Sequence, residues 1–307
     1  MIFLAEEGGT RLDQFVAERA EITRSAAQKL IGDGCVSING APAAKNYRLR
    51  AGECVEVTLP EPETLSVAPE DIPLAILYED DDLIVVNKPQ GMVVHPAAGN
   101  YSGTLVNALM HHAAGRLSAI NGVVRPRIVH RIDKDTSGIL VVAKNNEAHL
   151  SLAEQIKEHS VRREYVCLIH EGVREDCFSV EKPIGRCRKD RKKMAVEAAG
   201  RHAVTHFRVL ERFRGATYLS CRLETGRTHQ IRVHLGSMGC HIVGDPLYGL
   251  KKDKIAEQFH IQGQLLHART LGFVHPRTEE YMEFSAQPPE YFQRVLEYFF
   301  AKSGFQT

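Results

Sequence analysis

The sequence predicts an α+β protein in two parts, and three observations carry that expectation. Residues 1–60 alternate between two helical stretches and a hairpin. A segment rich in proline and acid follows. The remainder of the 307-residue chain interleaves period-two runs with stretches of helical spacing and is long enough for a substantial core. The expected divisions are a small front domain over 1–60, a linker over 61–73 and a main domain over 74–307.

In the front domain, Leu12, Phe15, Val16 and Ala20 share one helical face, and Thr23 opens a second helix carrying Ala26, Ala27, Leu30 and Ile31. Gly32 and Gly34 stop it. Cys35 to Ile38 alternates as a strand, Asn39-Gly40 is the pair that a type I′ hairpin favours, and Val55 to Leu59 supplies another strand. This helix, helix and hairpin order, with RLDQFV ahead of KLIGDGCVSINGAPA, resembles the S4 RNA-binding domain. The resemblance makes Arg24, Lys29, Lys45, Arg48 and Arg50 candidate phosphate contacts. A solvated basic face would have the same residue types.

From Pro60 to Pro73, four prolines and several acids with little apolar periodicity read as an extended connection unable to pack well. Leu74 to Tyr78 and Leu83 to Asn87 are strands flanking EDDD, and Lys88-Pro89-Gln90-Gly91 turns the second into a loop. Thr104 to His112 has helical spacing. Its adjacent His111 and His112 cannot share a helical face and read as surface residues, not metal ligands.

The stretch with most chemistry is Arg125 to Asn145. Ile128-Val129 and Ile139 to Ala143 are strand segments, and HRIDKDTSG between them is a sharp turn. Asp133 therefore sits at a strand-to-strand corner, where rigid neighbours can hold a carboxylate against a substrate. An Asx turn with solvated charges is the bland alternative.

Further on, Leu150 to Ile156 is helical, Arg162 to Ile169 is a strand carrying Tyr165, and Tyr218 to Leu223 is another strand. The segment RCRKDRKK at 186–193 holds six bases and one acid and is expected to be a mobile loop. Its candidate RNA contacts are Arg186, Arg188, Lys189, Arg191 and Lys192. TGRTHQIRVHLGSMG then turns into a helix with Thr228 as N-cap, Ile231, Leu235 and Met238 on one face, and Gly239 as the stop. Arg227 at its mouth can fork onto a carboxylate or a phosphate with two hydrogen bonds, as a lysine cannot. His229 and His234 lack the HExxH spacing of a zinc helix. GDPLYG at 244–249 is a turn, His267 to Val274 a strand, and Tyr291 to Phe300 a closing amphipathic helix.

Composition is that of an ordinary globular chain, 43% hydrophobic and 25% charged. No apolar run approaches the roughly 20 residues that cross a bilayer. MIFLAEE gains acids too early for a secretory signal, so the expected location is the cytoplasm. Seven cysteines without CxxC or a regular framework fit reduced thiols better than disulfides or zinc. The net charge of +1 hides an asymmetry: residues 52–82 hold ten acids and no Lys or Arg, whereas residues 83–307 hold 32 basic and 22 acidic groups. A basic body permits a polyanionic partner such as nucleic acid.

Three of these segments, HRIDKDTSG, REYVCLIHEG and LETGRTHQIRVH, with NKPQGMVVHP before and GDPLYG after, resemble the signature segments of the RluA/RluD-type pseudouridine synthases. The likeness runs from about Ile76 to Phe284, and an S4 domain ahead of it is usual in the RluD-like branch. Ile132, where the family more often has leucine, is a conservative departure. The resemblance implies a mixed β-sheet core flanked by helices, with an active cleft across the sheet. It assigns Asp133, not Asp135, as the catalytic carboxylate and stacks Tyr165 on the target uracil. It also pairs Arg227 with Asp133, lines the pocket with Leu223, and places His130 and Arg131 near phosphates. The implied reaction isomerises specific uridines to pseudouridine in RNA, large-subunit ribosomal RNA first and tRNA as the alternative. A monomer without cofactor, metal or energy source would suffice.

The chemistry accounts for these residue types independently. Detaching uracil needs a nucleophile at C1′ or C6, or a base that removes a ribose proton, and a carboxylate can do any of the three. A cleft that excludes water disfavours an ionised aspartate and an adjacent guanidinium favours it, which gives an Asp–Arg pair a purpose. The uracil must also leave its stack, which costs about a few kcal/mol, and an aromatic platform offsets part of that. Two other classes compete. A non-catalytic RNA-binding factor in ribosome assembly has no use for Asp133, Tyr165 and Arg227 together. A two-carboxylate hydrolase on Asp133 and Asp135 has no use for the basic loop and the S4-like module.

Overall fold

A computed structural model of the protein describes residues 1–20, 24–58, 68–97, 99–112, 127–170, 172–190 and 192–303. They fall into two compact units, Met1–Ser66 and Val67–Thr307.

The first unit runs β1 (Ile2–Leu4), α1 (Leu12–Arg19), α2 (Arg24–Gly32), β2 (Val36–Ile38), β3 (Ala41–Pro42) and β4 (Cys54–Val57). Its strands form an antiparallel sheet in the order β1-β4-β2-β3. Asn39 and Gly40 take φ of 49° and 78°, so the expected two-residue turn brings Ile38 opposite Ala41. Leu12, Phe15, Val16, Ala27 and Ile31 build the core between helices and sheet. Thr23, expected to open α2, lies outside the described residues. Asp13 is fully buried on α1 and is satisfied by Arg11 at 3.0 Å, Arg24 at 3.2 Å and Gln28 at 2.7 Å.

The second unit opens with β5 (Ala75–Glu79), β6 (Leu83–Lys88), α3 (Leu105–His112), β7 (Arg127–Ile128), β8 (Ser137–Ala143) and α4 (Asn146–Lys157). Next come β9 (Arg162–His170), β10 (Cys177–Glu181) and a separate hairpin of β11 (Ile184–Arg186) and β12 (Met194–Val196). Completing it are β13 (Val204–Phe213), β14 (Ala216–Leu223), α5 (Gln230–Gly236), α6 (Lys254–Phe259), β15 (Leu266–Val274), β16 (Tyr281–Ser285) and α7 (Glu290–Ser303). Ten strands form one sheet in the order β10-β13-β14-β9-β15-β8-β6-β5, with β7 on β8 and β16 on β15 off that path. The architecture is α+β and the sheet is mixed, because β8 and β15 are parallel among otherwise antiparallel partners.

These two central strands touch through two residue pairs, Ser137 with His267 and Gly138 with Ala268. Further along, β8 pairs with β7 and β15 with β16. Gly138 fits the point of contact because it has no side chain. A Cβ there would lie 2.3 Å from the Ala268 carbonyl oxygen, and its φ is +122°. All seven residues of β8 are buried, which explains an apolar run without alternation. On one face, Leu105 and Leu109 of α3 and Ile231 and Leu235 of α5 pack with Ile84 and Leu140. On the other, Leu152 of α4 covers Val85 and Val141, and Phe292, Val295 and Phe299 of α7 cover Val166 and Leu168.

The second unit begins earlier than Leu74. Asn107 donates to the Ala68 carbonyl at 2.8 Å and its own carbonyl accepts the Glu70 N–H at 3.1 Å. The Glu70 carboxylate accepts the Gly103 N–H at 3.0 Å. The end of the expected linker is therefore fastened by polar groups, which leave no apolar period to read. Residues 61–67 of that linker lie outside the described residues. No helix among the described residues is long and apolar enough to cross a membrane.

Candidate active site

The turn between β7 and β8 carries the Asp133 carboxylate into a cavity of about 470 Å³, bordered also by Arg131, Tyr165, Leu223, Arg227 and Arg232. The loop after β6 holds that turn by its backbone. Lys88, 1% exposed, donates to the carbonyls of Pro89, Met92 and Lys134 at 2.8, 2.8 and 3.0 Å. Burial pushes its ammonium down to about 7, against the pull of Asp135 and Asp133. Gly91 donates to Lys134 at 2.9 Å, and the Gln90 side chain to the Asp135 carbonyl at 3.1 Å. Asp135 itself is not part of the cavity wall. It packs against Gly263, where a Cβ would come 2.8 Å from the Asp135 Cβ.

Arg227 does not pair with Asp133, which corrects the expectation from sequence. Its Nε donates to the His202 carbonyl at 2.9 Å and its backbone N–H to Gln230 Oε1 at 2.9 Å. The partner is Arg232. Nη1 reaches Asp133 Oδ2 at 2.9 Å, while Nε and Nη2 fork onto Asp245 at 2.7 and 2.8 Å. The reason lies in where α5 begins. His229, not Thr228, is the N-cap, in a left-handed conformation with φ of 57°, so Arg227 belongs to the preceding turn and Arg232 to the buried first turn of the helix. Met238 falls beyond the helix and is 43% exposed. Burial alone would lower Arg232, but Asp245 and then Asp133 outweigh it and raise it. Conversely, Arg232 holds the Asp245 carboxyl below its ordinary value despite burial.

The GDPLYG turn supports this arrangement from behind. Asp245 accepts the N–H groups of Leu247 and Tyr248 at 2.8 and 2.9 Å, and the Arg232 guanidinium lies 5.0 Å from the Tyr248 ring centre. The Tyr248 hydroxyl lies 2.8 Å from His229 Nδ1, leaving Nε2 3.9 Å from Asp133 Oδ1. Burial pushes His229 below its ordinary value, with Asp133 pulling the other way.

Tyr165, on β9 opposite Cys221 and Ala268, is 8% exposed. Burial pushes its phenol up to about 12, so it is a neutral aromatic wall at physiological pH. His130 borders the cavity with its ring tied to the sheet. Its Nε2 accepts the Val141 N–H at 3.1 Å, and burial with nearby Arg163 pushes it down to about 3. A neutral ring already bonded to the sheet has no charge to offer. Arg131 is exposed at the rim.

The basic segment is the loop at the tip of the β11–β12 hairpin. Cys187 donates to the Lys193 carbonyl and Lys193 to that of Asp190, each at 3.0 Å. Arg186, Arg188, Lys189 and Lys192 lie on it away from the cavity wall, and Arg191 lies outside the described residues. In the first unit Arg24 is committed to Asp13, whereas Lys29 and Arg48 are exposed, with Arg48 donating to the Gly9 carbonyl at 2.8 Å. Among the described residues, Asp80, Asp82 and His275 bring metal-type ligand atoms within 4.8 Å of one another. Those atoms are already engaged, since Arg277 forks onto Asp82 at 2.6 Å and His275 and Tyr78 each meet Asp80 at 2.8 Å.

Residues 82–237 match the family model described as RNA pseudouridylate synthase, and residues 10–55 match the S4 domain. An uncharacterized RNA pseudouridine synthase of Bacillus subtilis (strain 168) is 50% identical over 293 residues, covering 95% of each chain. Ribosomal large subunit pseudouridine synthase D of Zymomonas mobilis is 45% identical over 296 residues, covering 94% of this chain and 93% of that one. Among solved structures, the human RNA pseudouridylate synthase domain containing 1 protein aligns over 75% of this chain and 86% of its own. Its TM-score is 0.57 at 25% identity.

Proposed function

The chain belongs to the RNA pseudouridylate synthase family and carries an S4 domain, and from that premise we propose that it isomerises uridine to pseudouridine in large-subunit ribosomal RNA, with Asp133 as the catalytic carboxylate. One observation supports the role of Asp133 above the rest: it is a cavity-facing carboxylate oriented by a guanidinium that is itself locked to a buried second carboxylate. The cavity, about 470 Å³, falls within the roughly 300–1,000 Å³ of ligand pockets.

In this reading the uracil leaves its stack and lies against Tyr165 and Leu223. The C1′–N1 bond breaks, the base turns, C5 bonds to C1′, C5 loses its proton and N1 gains one. Asp133 acts on the sugar or on C6, and Arg232 fixes the direction of its lone pairs. Arg131 and Arg227, which border the cavity, contact phosphates in this reading. The S4 domain over residues 1–60 adds phosphate contacts through Lys29 and Arg48. Ribosomal RNA is favoured because several relatives, among them those of Zymomonas mobilis and Xanthomonas campestris, are named for the ribosomal large subunit. The protein works in the cytoplasm as a monomer.

Mapping pseudouridines by carbodiimide primer extension, in RNA from cells with and without the gene, tests this. The expected result is loss of one or more stops in large-subunit ribosomal RNA. Loss in tRNA alone would refute the target, and an unchanged map in both would refute the function.

A further inference from the structure

Arg163 is a buried cation with no counter-ion among the described residues. It is 5% exposed on β9, and among the described residues no carboxylate forms an ion pair with it. Its Nη2 donates to the Glu224 carbonyl at 2.8 Å, while Nε is buried with no partner. Arg232, as deeply buried, has two carboxylates. A guanidinium taken out of water with one carbonyl for company is destabilising. The chain nevertheless makes room for it: a Cβ on Gly226 would stand 2.7 Å from its Nη1.

Strain of this kind persists where function requires it. Arg163 borders the same cavity as Asp133. It lies two residues before Tyr165 on β9, so both face the same side of the sheet. The missing anion is therefore one that arrives with the substrate. A phosphate keeps most of its hydration and would stay at the rim, where Arg131 is exposed. The depth of Arg163, beside the aromatic wall, matches the base.

We propose that Arg163 is a catalytic residue that stabilises the negative charge developing on the uracil ring during isomerisation. The inference rests on the function proposed above. When the C1′–N1 bond breaks, its electron pair goes to the base and spreads over N1 and the carbonyl oxygens. The charge is discharged when C5 bonds to C1′, C5 loses its proton and N1 takes one up. A fixed guanidinium favours that anion over the neutral starting base without exchanging a proton.

The test uses the full chain and ribosomal RNA labelled with [5-³H]uridine in cells lacking the gene, with single-turnover tritium release, RNA affinity and the thermal unfolding midpoint as readouts. Arg163→Met should lower the saturated rate about 10²- to 10³-fold, as loss of one preorganised donor does. It should leave RNA affinity within about threefold, and the unfolding midpoint should stay at or rise above that of the wild type, which a merely structural arginine would not allow. A wild-type rate, or a loss confined to affinity with the saturated rate intact, overturns the inference, the second making Arg163 a phosphate contact. Should Arg163→Met not fold, Arg163→Lys decides: a folded variant at least about tenfold slower supports it, and a wild-type rate overturns it. A wild-type protein that releases no tritium refutes the underlying function instead.

Discussion

Replacing Arg232 by lysine separates orientation of Asp133 from mere charge. The side chain is 4% exposed and directs two nitrogens to Asp245 and the third to Asp133. A lysine keeps the charge but cannot span both carboxylates with a planar fork, and the deeper Asp245 will hold it. Asp133 then loses one charge-assisted hydrogen bond, worth about 1.5–3 kcal/mol. At 1.36 kcal/mol per tenfold this is about a 10- to 150-fold fall in the saturated single-turnover rate, with RNA affinity unchanged. Arg232→Met goes further and strands Asp245, 1% exposed, at about 3–5 kcal/mol of stability. Adding Asp245→Asn to Arg232→Met should restore much of the unfolding free energy measured in urea, but none of the rate. An Arg232→Lys protein with a saturated rate within about threefold of wild type would refute this reasoning. So would Arg227→Lys proving the more damaging of the two.

Three further outcomes rest on neighbouring parts of the structure. Lys88→Met leaves three carbonyls without their donor, so the unfolding free energy should fall by about 1–3 kcal/mol or more and the saturated rate with it; urea titration and tritium release check both. His267, fully buried between Ser137 and Ala286, is pushed down to about 4 by burial. Unfolded histidine takes up its proton near pH 6.5, so this stabilising difference is complete above about pH 6.5 and is lost as pH falls toward 4. The stability gap between wild type and His267→Gln should therefore narrow over that window, by up to about 1.4 kcal/mol per pH unit; a constant gap would contradict it. Substituting Lys29 and Arg48 together by alanine should leave the saturated rate intact and flatten the fall of log affinity with log salt by roughly 0.7–0.9 for each phosphate no longer neutralised; an unchanged slope would remove both residues from the RNA interface.

Where a segment's chemistry repeats, its structure was legible in the sequence. The Asn39-Gly40 hairpin, the helical face of Phe292, Val295 and Phe299, and the strand holding Tyr165 all follow from period and turn residues. The long strand β13 did not, because a register shift between Val209 and Glu211 breaks its alternation. Asp133 was legible as an acid on a rigid turn. Its partner was not: two arginines stand five residues apart, and which one enters the helix depends on the left-handed conformation of His229, a residue type with no obligation to adopt it. Lys88 reads only as the start of a loop, since nothing local announces three converging carbonyls. Arg163 hides for the same reason, its lack of a partner being a fact about distant elements.

The most direct test of the account compares wild type with Asp133→Asn on ribosomal RNA labelled with [5-³H]uridine and lacking the modification. Isomerisation must expel the C5 hydrogen, so the wild type should release tritium in step with the pseudouridine formed. Asp133→Asn nearly matches the carboxylate in size and can still accept the Arg232 hydrogen bond at its amide oxygen. It should remain folded, bind RNA as before and release no tritium above background. Release by Asp133→Asn at a rate near that of the wild type would contradict the assignment of the catalytic carboxylate.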